Sequence, residues 1–241
     1  MIDLDGMHLK LFKEAIKQTK EQVSDVETWM GHVPRYWADF VIERSSHKFK
    51  SEKLTADRLL RQELKKICDV SSGYSNEECV ASIMAWGGQN RKHGVFVFNR
   101  FNEITDVVSK LRAGELNRFE AYQAFYDIWM RREPQPLGMG AAYFTKIIFF
   151  CGQGHDGYIM DQWTSKSANI LNKTPLINLT SGHVNKKNGV EQYKLFCELV
   201  EEVAKTLGMS AEEVELSMFS RGGRKKLPWR KFVIENYKKL V

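Results

Sequence analysis

Apolar residues recur at three- and four-residue spacing over most of the chain, and strand-like alternation is scarce. Leu9, Phe12 and Ile16 open the first stripe. Trp29 and the run Val33-Pro34-Arg35-Tyr36-Trp37 mark a break and a restart. Thr55 stands as an N-cap for a helix through about Lys66. Ser75-Asn76-Glu77-Glu78 has capping-box spacing ahead of an apolar helix over Val80–Trp86. Gly87–Gly94 reads as a polar, glycine-bounded loop, and Gly94–Phe98 is the best strand candidate.

Further helices are predicted over Asn102–Arg112, closed at Gly114, and over Arg118–Arg132, ended by Pro134 and Pro136. Another covers Ala141–Cys151. Asp161 opens one that runs to Asn172 and stops before Pro175. Asn178–Gly189 is a polar connection. Val190–Leu207 is amphipathic and ends at Gly208, and Ser210-Ala211-Glu212-Glu213 caps a helix through Phe219. The expectation is an all-α protein of about ten helices, by order-of-magnitude reading of the pattern. At 241 residues it can be one large domain or two small interlocked lobes.

Composition bounds the class. Hydrophobic residues at 43% and charged residues at 27% describe an ordinary globular chain. The longest apolar run, Ala141–Cys151, is too short for a bilayer and is interrupted by Lys146. Met1–Gly6 carries Asp3 and Asp5 and no signal core, so the expected location is cytoplasmic, with no membrane partner. The four cysteines (Cys68, Cys79, Cys151, Cys197) lie far apart in sequence with no Cys-x-x-Cys spacing, so no metal site is expected. Buried thiols suit a reducing compartment.

The net charge of +6 is compatible with a polyanionic partner without requiring one. It is concentrated at the end of the chain. Arg221, Arg224, Lys225, Lys226, Arg230, Lys231, Lys238 and Lys239 face only Glu235 as an acid. This stretch is either a solvated terminal helix or a surface that tracks phosphates, with Arg224 and Lys225 as candidate contacts. Trp229, Phe232 and Tyr237 are expected to pack one helical face so that the bases project from a fixed support.

The candidate chemistry lies at Leu137-Gly138-Met139-Gly140, between two predicted helices. A Gly-x-Gly turn lets backbone amides approach an anion at a helix start. Asp161 follows Gly140 by 21 residues. It is a natural N-cap, and a carboxylate there can also stabilise a developing cation. The two roles are compatible.

These residues resemble the helix-hairpin-helix DNA glycosylase superfamily, in which a Leu-Pro-Gly-Val-Gly hairpin precedes a catalytic aspartate by about twenty residues. The closer likeness is to a prokaryotic branch of 8-oxoguanine-glycosylase-like proteins, some of which are implicated in defence against phages carrying modified bases. Ala85-Trp86-Gly87 and Val214–Phe219 fit that branch too. The likeness is firm over Trp129–Leu171, weaker over Cys79–Arg91 and Glu191–Phe219, and absent from the first seventy residues.

The resemblance implies a two-lobed helical unit over 1–241, with the helix-hairpin-helix at about 118–151 between the lobes. It implies double-stranded DNA as partner, no obligate protein partner, and an everted base cut from its sugar, with Asp161 catalytic. It also implies amides near Gly138 and Gly140 on a phosphate, and no cofactor beyond a possible monovalent cation at the hairpin. Trp86, Trp129, Trp163 and His155 are candidates for the base pocket, although the tryptophans fall on helical stripes, which favours a core role over the pocket. Gln89, Asn90 and Arg91 would fill the gap in the duplex or form an ordinary solvent loop.

The chain departs from the superfamily at two places. Leu137 precedes Gly138 directly, where the superfamily has proline, and Ala142 occupies the position of the lysine found in bifunctional members. Lys146 lies one helical turn, about 5.4 Å, further on and would reach back over Ala142. It is either an amine nucleophile or a lysine whose stem covers apolar surface. A hairpin module that binds DNA without cutting it is the alternative reading.

Overall fold

The computed structural model describes residues 1–22, 29, 31–131, 136–221 and 226–240. Among them are twelve α-helices and one two-stranded hairpin, so the fold is all-α. The chain forms two compact units, Met1–Trp29 with Tyr158–Val241, and Met30–Gly157.

The first unit starts with α1 (Gly6–Gln22), which buries His8, Phe12, Ala15, Ile16 and Thr19 along one stripe. The second unit then runs through α2 (Pro34–Arg44), α3 (Arg61–Cys68), α4 (Asn76–Trp86), α5 (Arg91–Asn99), α6 (Phe101–Ala113), α7 (Arg118–Met130) and α8 (Ala141–Cys151). Phe144 through Cys151 are all buried, and α8 contacts α3, α4, α6 and α7. A helix apolar on every face must be wrapped by neighbours, and α8 is the axis of this unit. Tyr122, Phe125 and Trp129 of α7 ring Phe144 at centroid distances of 5.0, 5.7 and 5.8 Å.

The chain returns to the first unit with α9 (Gln162–Leu171), β1 (Leu179–Thr180), β2 (His183–Val184), α10 (Val190–Leu207), α11 (Ala211–Met218) and α12 (Pro228–Leu240). Trp229 is a pin for this unit. Its ring meets Phe12 edge-on at 4.8 Å, and its Nε1 donates to Ser167 Oγ, which donates to the Met218 carbonyl. The N-terminal segment straps the end of α9, through Asp5 N to Leu171 O at 2.9 Å and Asp3 N to Asn172 Oδ1 at 2.8 Å.

Several boundaries coincide with the sequence pattern. Asn117, Asp161 and Ser210 cap α7, α9 and α11, and Gly114 and Gly208 end α6 and α10 with positive φ. Three expectations need correction. Thr55 does not start a helix; its Oγ1 accepts the Asp57 amide in a local turn, and α3 begins at Arg61, with Glu63 Oε2 accepting the Leu60 amide. Gly94–Phe98 is helix, not strand. Asn90 Oδ1 caps α5 by accepting the Lys92 amide, and Val97 and Phe98 are buried on one face, so packing overrides their β preference. The connection over 178–189 holds a small hairpin whose turn residues, Ser181 and Gly182, both have positive φ, the pattern of a type I′ turn. Pro134 lies outside the described residues.

Ser75 Oγ accepts the Glu78 amide at 3.2 Å and Glu78 Oε2 accepts the Ser75 amide at 2.8 Å at the head of α4. Ser75→Ala should cost about 1 kcal/mol. Urea unfolding should show a lower midpoint with an unchanged slope.

Candidate active site

The glycine turn is built by close approach. Gly138 has φ +76°, and a Cβ there would lie 2.3 Å from the His93 carbonyl oxygen and 2.8 Å from the Phe96 Cβ, both on α5. Only glycine meets both demands. At Gly140 a Cβ would lie 3.0 Å from the Trp129 indole. Leu137 and Met139 are buried on either side of Gly138. Gly140 is the N-cap of α8 and has no side chain of its own to accept the first amides of that helix.

Gln89 and Lys146 support this turn. Gln89 is fully buried, not a solvent-loop residue, and its Nε2 donates to the Gly138 carbonyl at 3.1 Å. It is a brace of the hairpin and does not reach out of the surface. Lys146 is 6% exposed; its Nζ donates back to the Ala142 carbonyl at 2.7 Å and lies 5.2 Å from the Tyr143 ring centroid. The carbonyls of Gly138 and Gly140 already accept protein donors, Gln89 Nε2 at the first and the Tyr143 and Phe144 amides at the second.

Asn90, Arg91, Lys92 and His93 are exposed at the start of α5, next to the residues that carry the turn. The Arg91 guanidinium covers the Phe40 ring at 4.7 Å. Arg58 joins this cationic surface, and His32 lies beside it. Desolvation and the charges of Arg91 and Arg58 push the His32 imidazole below its ordinary value, against a backbone hydrogen bond at Gly88. Neither residue carries a signal in the linear pattern, because both lie in irregular segments.

In the other unit, Asp161 sits at the head of α9 and is 8% exposed. Its Oδ1 accepts the Trp163 amide at 2.7 Å and the Thr164 amide at 3.1 Å, and Thr164 Oγ1 accepts the Asp161 amide. The second carboxylate oxygen takes part in none of these cap bonds. Trp163, Lys166 and Arg230 lie near Asp161. The Arg230 guanidinium lies 4.1 Å from the Trp163 ring centroid and the Lys166 Nζ lies 4.5 Å from it. The indole's π system is therefore engaged by cations. Burial pushes the Lys166 ammonium down; Asp161 pulls it up, and Arg230 and Lys238 push it down again. Burial likewise lowers Arg230, with Asp161 opposing.

Other candidates are distributed between core and surface. Trp86 is buried against Phe150, ring centroids 5.0 Å apart, and Trp129 is half-buried between Gly140 and Phe144. Arg224, Lys225 and the side chain of His155 lie outside the described residues. Not all the terminal bases project: Arg230 is buried and donates to the Phe219 carbonyl, and Arg221 is buried. Cys68, Cys79 and Cys151, distant in sequence, meet in the second unit, where burial and the neighbouring thiols of Cys151 and Cys79 push the Cys68 thiol well up. Among the described residues no group of His, Cys, Asp and Glu is arranged to hold a metal ion, and no helix is long and apolar enough to cross a membrane.

The all-α architecture is consistent with a helical DNA glycosylase fold. Residues 19–219 match the family described as "Putative 8-oxoguanine DNA glycosylase OGG-like protein", and the chain belongs to that family. No curated protein and no solved structure matches it.

Gly138→Ala places a methyl group on backbone atoms that have no free rotor to yield. It should destabilise the protein by at least about 2 kcal/mol, more than Gly140→Ala, whose neighbour is a side-chain ring. Thermal melting of the two variants checks the order.

Proposed function

We propose that this protein is a DNA N-glycosylase of the helix-hairpin-helix type, and that Asp161 is its catalytic carboxylate. The observation that carries the reading is the division of labour at Asp161. One oxygen is spent on two amides at the head of α9, which fixes the carboxylate, and the other is left out of the cap. A fixed charge of this kind stabilises a cation formed in the reaction without reorganising.

Double-stranded DNA shields its glycosidic bonds, so the target nucleotide is first rotated out of the stack. The amides at the start of α8, with Gly138 and Gly140, take a phosphate; Arg91, Lys92 and the basic end of the chain, Arg224 and Lys225 included, add sequence-independent attraction. The C1′–N bond then breaks. Its electron pair leaves with the base, and positive charge spreads over C1′ and the ring oxygen. Asp161 offsets that charge and orients the water that attacks C1′, whose proton passes to the departing base. The product is an abasic site. Trp129, half-buried at Gly140, supplies apolar surface beside the hairpin. The family description favours an oxidised guanine as the released base. A phage hypermodified cytosine is the other substrate class under test, as part of antiviral defence.

The test is Asp161→Asn with duplexes carrying each base and mass detection of the free base. Asparagine is as good an N-cap as aspartate, so α9 survives and only the charge is removed. Base release should fall on the order of 10³-fold while DNA affinity is unchanged. Full activity in the variant, or no base released by the wild type from any modified duplex, sinks the reading. Binding should weaken steeply with salt, and Lys92→Ala should reduce the slope of log K against log salt by about 1.

A further inference from the structure

Resting on that reading of Asp161, we propose that Lys166, and not Lys146, is the amine of the site, able to join the deoxyribose C1′ covalently and confer lyase activity. The two lysines differ in placement. Lys146 belongs to the second unit, and its Nζ is turned back onto the Ala142 carbonyl of its own helix. Lys166 belongs to the unit and the helix that Asp161 heads, five residues along α9, so one rigid element sets the amine relative to the carboxylate. Side chains on a helix lean toward its N-terminus, which points Lys166 toward the Asp161 end.

Its surroundings hold the amine without covering it. The Nζ lies 4.5 Å from the Trp163 ring centroid and 5.7 Å from that of Tyr237. The tip of the small hairpin backs it: a Cβ at Gly182 would lie 3.1 Å from Nζ. Lys166 remains half-buried. Burial lowers the Lys166 ammonium, with Asp161 opposing and Arg230 and Lys238 adding to the effect, so the amine gives up its proton more readily than a free lysine does.

Chemically, the Lys166 nitrogen attacks C1′ as the base departs, and the proton it sheds goes to that base. The C1′–O4′ bond then opens with protonation of O4′, leaving an imine. Loss of a C2′ proton expels the 3′-phosphate, and water hydrolyses the imine to free the lysine. At an existing abasic site the same amine condenses with the aldehyde and releases one water.

A duplex with a single abasic site is therefore the probe, with borohydride to reduce the imine to a stable amine and peptide mass mapping to locate it. This assay needs no base release, so it is independent of the substrate question. The wild type should form an adduct mapping to Lys166. Lys166→Arg keeps the cation over Trp163 and so preserves packing, yet should cut the adduct at least tenfold. Lys146→Met should leave it unchanged. Three results overturn the proposal: no adduct, an adduct mapping elsewhere, or full trapping by Lys166→Arg, which would make the position a phosphate clamp. If trapping fails while Asp161→Asn still abolishes base release, the glycosylase reading stands with water as the nucleophile and only this inference falls.

Discussion

The contact between the Gly138 backbone and the His93 carbonyl is the constraint from which the hairpin follows. It forces glycine and positive φ, brings the turn down on α5, and lets Gln89 reach the Gly138 oxygen from the loop before that helix. Behind the turn, α8 is buried on nearly every side. An anchored turn on a helix that cannot rotate keeps its first amides pointing one way, and preorganised donors of this kind are effective toward a phosphate.

Asp161 is held by a different device with the same result. Its cap bonds cost the carboxylate one oxygen and fix the other. The cations near it are themselves fixed on aromatic rings. Lys166 and Arg230 lie over Trp163, and Arg230 is also tied to the Phe219 carbonyl. Charges that would wander on a solvated surface are set by packing, which strengthens their effect on neighbours in a partly desolvated setting.

Much of this was legible in the chain, for local reasons. Capping boxes and glycine stops are read from side chains a few residues apart, so α4, α8, α9, α10 and α11 fall where the pattern puts them. Apart from Thr55, which a local turn claims, the misreadings depend on partners distant in sequence. Val95-Phe96-Val97-Phe98 looks like a strand until Trp37 and the aromatic cluster around Phe98 claim one helical face. Gln89 looks like a surface residue until Gly138 arrives beside it. Arg230 is indistinguishable from its basic neighbours until Trp163 and Phe219 bury it. The meeting of Cys68, Cys79 and Cys151 leaves no trace in spacing. His32 and Arg58 join Arg91 through loops whose course no periodicity encodes.

The first unit is assembled from both ends of the chain, with the entire second unit threaded between its halves. A ribosome therefore releases α1 and its apolar stripe long before Trp229 and Val233 exist to cover it, whereas residues 30–157 emerge as a continuous block able to collapse on its own. The nascent helix must wait, exposed, until α12 has been made, and the carboxylate on α9 acquires Arg230 beside it only then. Formation of the unit that holds Asp161 is thereby tied to synthesis of α12.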